Sequence, residues 1–341
     1  MIYIKKNKIR KIIFEILNIH KLKIKILEDA IDGLIWSSLR GIDSHGLNLF
    51  PQYLKEIISG RINLNPKIKF EKKSYNFISI DADHTTGHHA CNKAVTYLIN
   101  LSNKTGIAMG NIYNSGHCGA MSYFGFDSVK NGYLIIGMTQ ATPRVMLKNT
   151  RKVFYGNNPL SLVCPINKKI NFAYDSCITS ISFNKIRYLN KKGKKLPPNV
   201  ALNSFFKMTT DPKKAEYLMP IGDFKGTGLS FFVDILTGAL SNMNMTSDVT
   251  SMYGDNINNK RYLSQSFIVM NLNKICNFKN FKRNINNSIN NIIHSKKINK
   301  KLDEPKYPGQ KENEIFIKRS KTGIPFSNNF LKELEAAKFY V

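Results

Sequence analysis

Apolar residues recur at helical spacing early in the chain, where Leu27, Ile31, Leu34 and Ile35 line one face and Asp29 and Asp32 lie on the polar side. This spacing predicts a helix that stops near Arg40-Gly41, since glycine ends helices readily. A second helix is predicted after Ser44-His45-Gly46, carrying Leu54, Ile57 and Ile58 to Gly60. Residues 77–81 read as a strand leading into a turn, 90–101 as a helix and 107–112 as a strand. A glycine-bearing turn over 114–119 then leads into a predicted helix through Val129, followed by a buried strand over 133–138. Further strands are expected over 160–164, 171–174 and 266–272, with an apolar helix over 228–240. Residues 185–195, basic and interrupted by Gly193, read as an exposed loop or hairpin. Residues 271–301, dominated by Asn, Lys and Ile, read as surface decoration with a few helical turns. Strands and helices alternate without a repeat, so the expected class is α/β (α+β) with a mixed sheet.

A chain of 341 residues suits about two domains, and 42% apolar content is enough to fill a core. The apolar runs are short of the ~20 residues that span a bilayer. The lysines of the first ten residues have no apolar stretch behind them, so no secretory signal is expected. The expectation is a soluble, cytoplasmic protein. Its net charge of +28 raises nucleic acid as a partner, but only nine of the 51 basic residues are arginine, the side chain that groove readers favour. Lys, Asn and Ile enriched together indicate compositional drift and a solvated lysine surface that would attract anionic substrates. The five cysteines (Cys91, Cys118, Cys164, Cys177, Cys276) are odd in number and form no CxxC pair, which excludes a disulfide framework or zinc ribbon.

Four segments carry candidate chemistry. Asp43-Ser44-His45-Gly46 places an imidazole at a helix–helix junction beside a residue without a side chain, which can expose it; a capping Asp and Ser beside a structural histidine explains the same residues. Asn114-Ser115-Gly116-His117-Cys118-Gly119 offers a second such histidine after a strand, and two junction histidines suit proton transfer near neutral pH; a turn histidine satisfied by backbone is the alternative. His84, His88 and His89 could hold a metal only if the segment were helical throughout, and Thr85-Thr86-Gly87 argues for a turn, so no metal is assigned. The stretch 218–228 is a glycine-rich loop entering an apolar helix, able to hold a phosphate with Lys225 as the charge, or to be a tight turn with a surface lysine. Neither a Walker A loop nor a GxGxxG after a strand is present; at Gly226-Thr227-Gly228 the third position is Phe231.

Together these segments resemble the type-2 malate/L-lactate dehydrogenase family of NAD(P)-dependent oxidoreductases. The resemblance runs collinearly through 40–46, the His117 segment, Tyr155-Gly156-Asn157-Asn158-Pro159, Asp175-Ser176, Thr209-Thr210-Asp211-Pro212, 220–228 and Tyr307-Pro308-Gly309-Gln310. Residues 116–124, 251–253, Arg261 with 263–265, and 307–310 are most similar to the family's ureidoglycolate-oxidising branch, which makes oxalurate in allantoin breakdown. The resemblance implies a non-Rossmann mixed-sheet cofactor domain over 73–301 and a helical lobe built from 1–72 and 302–341. It also implies NAD as cofactor, a small 2-hydroxy or 2-oxo acid as substrate, and a homodimer or an assembly of dimers. Malate, lactate, diketogulonate or a cyclic imino acid is the alternative substrate; a basic polyanion binder whose catalytic inheritance has decayed is a distant one.

Carried over by motif, His117 is the base, and His45 with Ser44 forms the other catalytic group. Asp175, Ser176, Cys177, Lys225, Gly309, Gln310, Lys311 and Ala141 would touch the cofactor, with Asp175 alternatively orienting His45. Tyr53 and Arg261 would touch the substrate. The chain departs from the family's pattern at several points. Leu49 replaces a common arginine, Lys148-Asn149 stands for Gly-Gly, and Gly156-Asn157-Asn158-Pro159 for Gly-Thr-Asn-Pro. Ala141 replaces a hydroxyl residue, and Lys311 replaces an acid, which leaves room for the 2′-phosphate of NADP.

Overall fold

The computed structural model describes residues 1–22, 24–147, 150–167, 171–253, 257–296, 298 and 304–340; Lys148-Asn149 lies outside them. Along the chain, β1 (Ile2–Ile4), α1 (Lys6–Ile19), α2 (Ile24–Leu39) and α3 (Phe50–Ile58) lead to β2 (Lys69–Lys72) and β3 (Phe77–Asp81). Then come α4 (Gly87–Thr105), β4 (Ile107–Ser115), β5 (Tyr133–Thr139), β6 (Val145–Met146), β7 (Val153–Tyr155), β8 (Leu160–Pro165) and β9 (Asn171–Ser176). The next stretch holds α5 (Phe183–Lys191), β10 (Ala201–Leu202), β11 (Tyr217–Leu218), α6 (Phe224–Thr237) and β12 (Leu263–Asn271). The chain ends with α7 (Leu272–Ile275), α8 (Phe278–Ile293), α9 (Gln310–Thr322), β13 (Ile324–Phe326) and α10 (Asn328–Ala337).

Seven strands form a mixed sheet in the order β2-β3-β4-β12-β5-β8-β9, in which only β3 and β4 pair in parallel. The strand order and the α4 crossover between β3 and β4 make this an α/β fold without the parallel doubly wound sheet of dinucleotide folds. The four-stranded sheet β10-β11-β6-β7 lies apart from it, and β1 pairs with β13 to tie the chain ends together. Ile78, Ile80, Ala94, Leu98, Ile112 and Phe267 form a core between α4 and the large sheet. A second core joins α1, α2 and α3 to α10 through Ile13, Leu34, Leu54 and Phe330, and Met252 packs into it from far along the chain. Burying such side chains contributes roughly 1.5–3 kcal/mol each before chain entropy is counted.

Three expectations are corrected. Residues 119–129 form no continuous helix but two 3-10 turns, Met121–Tyr123 and Ser128–Asn131, because Gly119 and Gly125 adopt φ of +72° and +70°. A Cβ at Gly125 would lie 2.2 Å from Ile135, so only glycine brings this segment against the sheet. The basic stretch beginning at Lys185 is helical in α5: Ser182 accepts from the Lys185 N–H at 3.2 Å as N-cap, and Ile186 is buried while the lysines face outward. The Asn-rich segment contains the sixteen-residue α8, which does bury surface, since Ile289 packs on Ile166 and Tyr307. No helix among the described residues is long and apolar enough to cross a membrane.

The His84–His89 segment has a β3 exit with positive φ at Asp83 and His84, then α4 capped by Thr86, whose Oγ1 accepts from the His89 N–H at 3.2 Å. Its histidines separate: His84 meets the Arg261 carbonyl, His89 pairs with Asp29 at 2.6 Å, and His88 enters the core against Tyr53, Tyr123 and Phe124. No metal-ligating cluster forms among the described residues. Neither His88 nitrogen has a partner among the described residues, and burial pulls its pKa down to about 3.

Two outcomes follow from α4. A Cβ at Gly87 would sit 2.4 Å from the Gly116 carbonyl oxygen and 2.7 Å from His117 backbone, so Gly87→Ala should cost roughly 1–3 kcal/mol, read as a lowered urea midpoint at unchanged slope. Unfolded His88 takes up a proton below its ordinary pKa of 6.5, whereas buried His88 waits until about 3. Its contribution to stability is therefore lost as pH falls through that window, by roughly 1 kcal/mol per pH unit. His88→Gln should remove that share of the slope; an unchanged slope of unfolding free energy against pH would show that His88 is not the titrating group.

Candidate active site

The His45 turn is built by contacts at its base. Gly46 sits so close to α2 that a Cβ would meet the Ser38 hydroxyl at 2.2 Å, and that hydroxyl accepts from the Leu47 N–H at 2.8 Å. Asp43 caps no helix; its carboxylate takes both guanidinium nitrogens of Arg319 at 2.6 and 3.0 Å, and Arg319 also donates to the Ser38 carbonyl. This bidentate pair ties α9 to the turn. Arg40, just before it, lies 4.3–4.5 Å from the rings of Trp36, Phe126 and Phe316, and burial lowers its pKa to about 10. Ser44 Oγ lies 3.1 Å from His45 Nδ1.

His117 comes off β4 through a left-handed Asn114 and packs against Gly87 at the start of α4. Its ring stacks on His45 with centroids 5.9 Å apart and planes 14° from parallel. Tyr53 from α3 places its hydroxyl 2.6 Å from His117 Nδ1 and donates to the His117 carbonyl at 3.1 Å. Nδ1 also accepts from the Gly119 N–H at 3.3 Å; Nε2 has a free lone pair in the other tautomer, in which Nδ1–H donates to Tyr53 and the tyrosine proton goes to that carbonyl. Burial lowers the pKa of His45 to about 4, and burial with His45 and Arg261 nearby holds that of His117 well below the ordinary value, so both rings are neutral at pH 7.

Both rings face a small cavity of about 70 Å³ whose wall also carries Ala141, Arg144, Tyr253 and Arg261. Arg261 is 3% exposed; Nη2 donates to the Thr250 carbonyl at 3.3 Å, and Nε and Nη1 have no partner among the described residues. A buried guanidinium with an open N–H edge is a waiting site for an anion, and a carboxylate fits it. Behind it, Glu56 pairs with Arg61 at 3.2 Å, and Arg61 holds the Met252 and Ile257 carbonyls. Burial pushes the Glu56 carboxyl up, with Arg261 and Arg61 opposing. Ala141 is fixed by Asn158, whose amide accepts from the Ala141 N–H at 3.0 Å and donates to Asp234 of α6 at 3.1 Å.

His45 also borders a larger cavity of about 1420 Å³, lined by Ser44, Asp175, Ser176, Cys177, Gly309 and Lys311. Small-molecule pockets run to roughly 1,000 Å³, so a dinucleotide has room. The donor set fits one as well: Lys185, Lys195 and Lys311 suit a diphosphate, and Ile35 and Trp36 offer apolar wall. Asp175 does not reach His45; its carboxylate accepts from the Ser122 N–H and Oγ, both at 2.8 Å. Ser122 and Arg144 escaped the sequence reading, although an arginine among so many lysines was a signal. Lys225 is exposed on the first turn of α6 and lines neither cavity, and the preceding loop closes as a tight turn with Gly226 packed on Ile221. Gln310 lines neither cavity, its side chain binding Glu314 and the Tyr307 N–H. Leu49 is buried in the helical core and offers no charge to the site.

Among proteins of known function, the chain is 31% identical over 320 residues to a malate dehydrogenase of Pyrococcus abyssi, covering 90% of this chain and 87% of that one. It is 28% identical over 294 residues to the NAD(+) ureidoglycolate dehydrogenase of Escherichia coli K12, covering 85% and 82%. The structure superposes on the sulfolactate dehydrogenase of Methanocaldococcus jannaschii with TM-score 0.87 at 25% identity, over 98% and 96% of the two chains. Residues 4–335 match the profile of the malate/L-lactate dehydrogenases. The chain is therefore a member of the malate/L-lactate dehydrogenase family, whose named relatives are dehydrogenases acting on hydroxy acids.

Proposed function

We propose that this protein is an NAD-dependent dehydrogenase of a small 2-hydroxy acid, with the two cavities holding cofactor and substrate on either side of His45 and His117. The observation that carries this reading is the stacked, neutral imidazole pair facing a buried arginine whose Nε and Nη1 have no partner among the described residues. Bound NAD supplies the hydride acceptor. Residues 175–177, Gly309 and Lys311 hold it in the larger cavity, and Lys311 also tolerates a 2′-phosphate.

Arg261 grips the substrate carboxylate and so fixes which face of the adjacent carbon is presented. His117 Nε2 takes the hydroxyl proton, with the ring held by Tyr53 from its far side. His45, steadied by Ser44, is a neutral hydrogen-bond partner for the same oxygen. The buried walls keep water from competing for that proton.

Ureidoglycolate is the finer expectation from the segments at 116–124, 251–253 and 307–310, and malate is the second reading, favoured by the second arginine in the small cavity. We also read a homodimer: Phe224 is 75% exposed, and Leu229, Phe231, Phe232 and Ile235 continue that apolar face along α6, where a second copy would cover it. Residues 73–301 as cofactor domain, 1–72 with 302–341 as helical lobe, and a cytoplasmic setting complete the reading.

Mixing the protein with NAD or NADP and ureidoglycolate, malate or lactate should raise the absorbance of reduced nicotinamide; no turnover with any of them, in either direction, would refute the reading. His117→Ala should lower kcat about 10²–10⁴-fold with an unchanged melting curve. Because the His117 pKa lies below 6.5, the acid limb of kcat/KM should fall below that pH, the rate dropping as the base is protonated. Tyr53→Phe should lower kcat about tenfold, the worth of one hydrogen bond to the base.

A further inference from the structure

The turn after β3 lines neither cavity, yet it touches the two segments that carry the site. Asp83 and His84 hold φ of +48° and +58°, and Asn114, where the chain leaves β4 for His117, holds +50°. Residues with a Cβ seldom adopt this region and persist there only where the surroundings enforce it. Two carboxylates do so here. Asp81 Oδ1 accepts from the Asp83 N–H and the Asn114 amide, each at 3.0 Å, and Asp83 Oδ2 accepts from the Asn63 amide and the Lys67 N–H, each at 2.9 Å. His84 is thereby held with its N–H donating to the Asn114 carbonyl at 2.7 Å and its Nδ1–H donating to the Arg261 carbonyl at 3.1 Å. A carbonyl only accepts, which fixes this tautomer. The ring also meets Tyr262 edge-on, with centroids 5.0 Å apart.

The sheet alone leaves the separation of these segments loosely set. β4 and β12 pair as far as Ser115 with Leu263, but the register shifts between Leu263 and Gln265, so the ladder is irregular where it ends. His117 follows the end of β4, and Arg261 precedes the start of β12. Gln265 holds the Gly116 carbonyl at 3.2 Å from inside the ladder; beyond the shift, His84 is bonded to both sides. We propose that His84 is a positioning residue, which sets the separation of the base His117 from the substrate-gripping Arg261 by tying the backbones of their two segments together. This rests on the dehydrogenase reading and deepens it. The hydroxyl and carboxylate of a 2-hydroxy acid sit on adjacent carbons, so base and guanidinium must keep one separation, and a slip of about 1 Å can cost about 10²-fold in rate. Without the tie the carboxylate still binds Arg261, but the hydroxyl falls out of line with His117, which lowers kcat and spares KM.

The test measures kcat and KM with NAD and whichever of malate, lactate and ureidoglycolate the wild type oxidises fastest. His84→Gly accepts the left-handed backbone and deletes the side-chain bond. It should lower kcat about 10- to 100-fold, with KM changed less than about threefold. His84→Asn also tolerates this backbone and places an amide N–H where Nδ1 stands, so kcat should return to within about twofold of wild type. His84→Asp, of the same shape but without a donor, should stay low. Equal kcat in the glycine and asparagine variants, or a raised KM at unchanged kcat, would overturn the proposal and leave the dehydrogenase standing. A merely structural histidine would give that result, with lowered melting temperatures and full kcat per folded enzyme. Absence of wild-type turnover with every acid would instead refute the dehydrogenase reading, and the proposal with it. If His84→Gly proves unfolded by circular dichroism, His84→Asp against His84→Asn decides alone, a gap in kcat supporting the proposal and no gap refuting it.

Discussion

Two imidazoles stacked at 5.9 Å inside a protein wall require that both stay uncharged and that backbone approach them closely. Burial meets the first condition, since it disfavours the imidazolium of each ring. Glycine meets the second: Gly87 lets the start of α4 touch the 116–117 backbone, and Gly46 lets the His45 turn rest on Ser38. The rest of the site is arranged around this pair. Tyr53 grips one ring from α3, Ser44 steadies the other, and the Asp43–Arg319 pair pins the second turn to α9. Elements from both ends of the chain must therefore be folded before the rings can meet.

The charge of the protein acts at two scales. The 42 lysines make a diffuse positive surface that draws anions without selecting among them. Selection falls to a few arginines whose geometry is fixed. Arg40 sits in an aromatic cage, Arg61 with Glu56 holds the carbonyls near residues 252 and 257, and Arg261 presents an open edge to the small cavity. The last of these has open hydrogen-bonding capacity among the described residues in a place a small acid can occupy.

Some of this was legible in the residues. The β3–α4–β4 and β5 segments read correctly because their apolar runs are bounded by glycine and polar turns, which is how buried strands differ locally from loops. The junction histidines stood out because glycine neighbours mark places where backbone is close or exposed. The stretch 119–129 misled because its apolar residues have helical spacing, while the positive φ of Gly119 and Gly125 depends on contacts with the sheet. The basic segment at Lys185 misled in the opposite direction: composition suggested a loop, but one cap at Ser182 and one buried isoleucine suffice to make α5.

By itself the sequence determined the class of the fold, the collinear motifs that place the chain in its family, and the residue types available for proton transfer and anion binding. Only the tertiary structure decided that His45 and His117 stack, that Asp175 is taken by Ser122, that Lys225 and Gln310 lie off both cavities, and that Arg144 shares a wall with Arg261. The reason is physical. Residue type and local spacing set backbone preference and polarity within a few residues. Partners, burial and pKa are instead set by groups tens to hundreds of positions away, which meet only once the cores have closed.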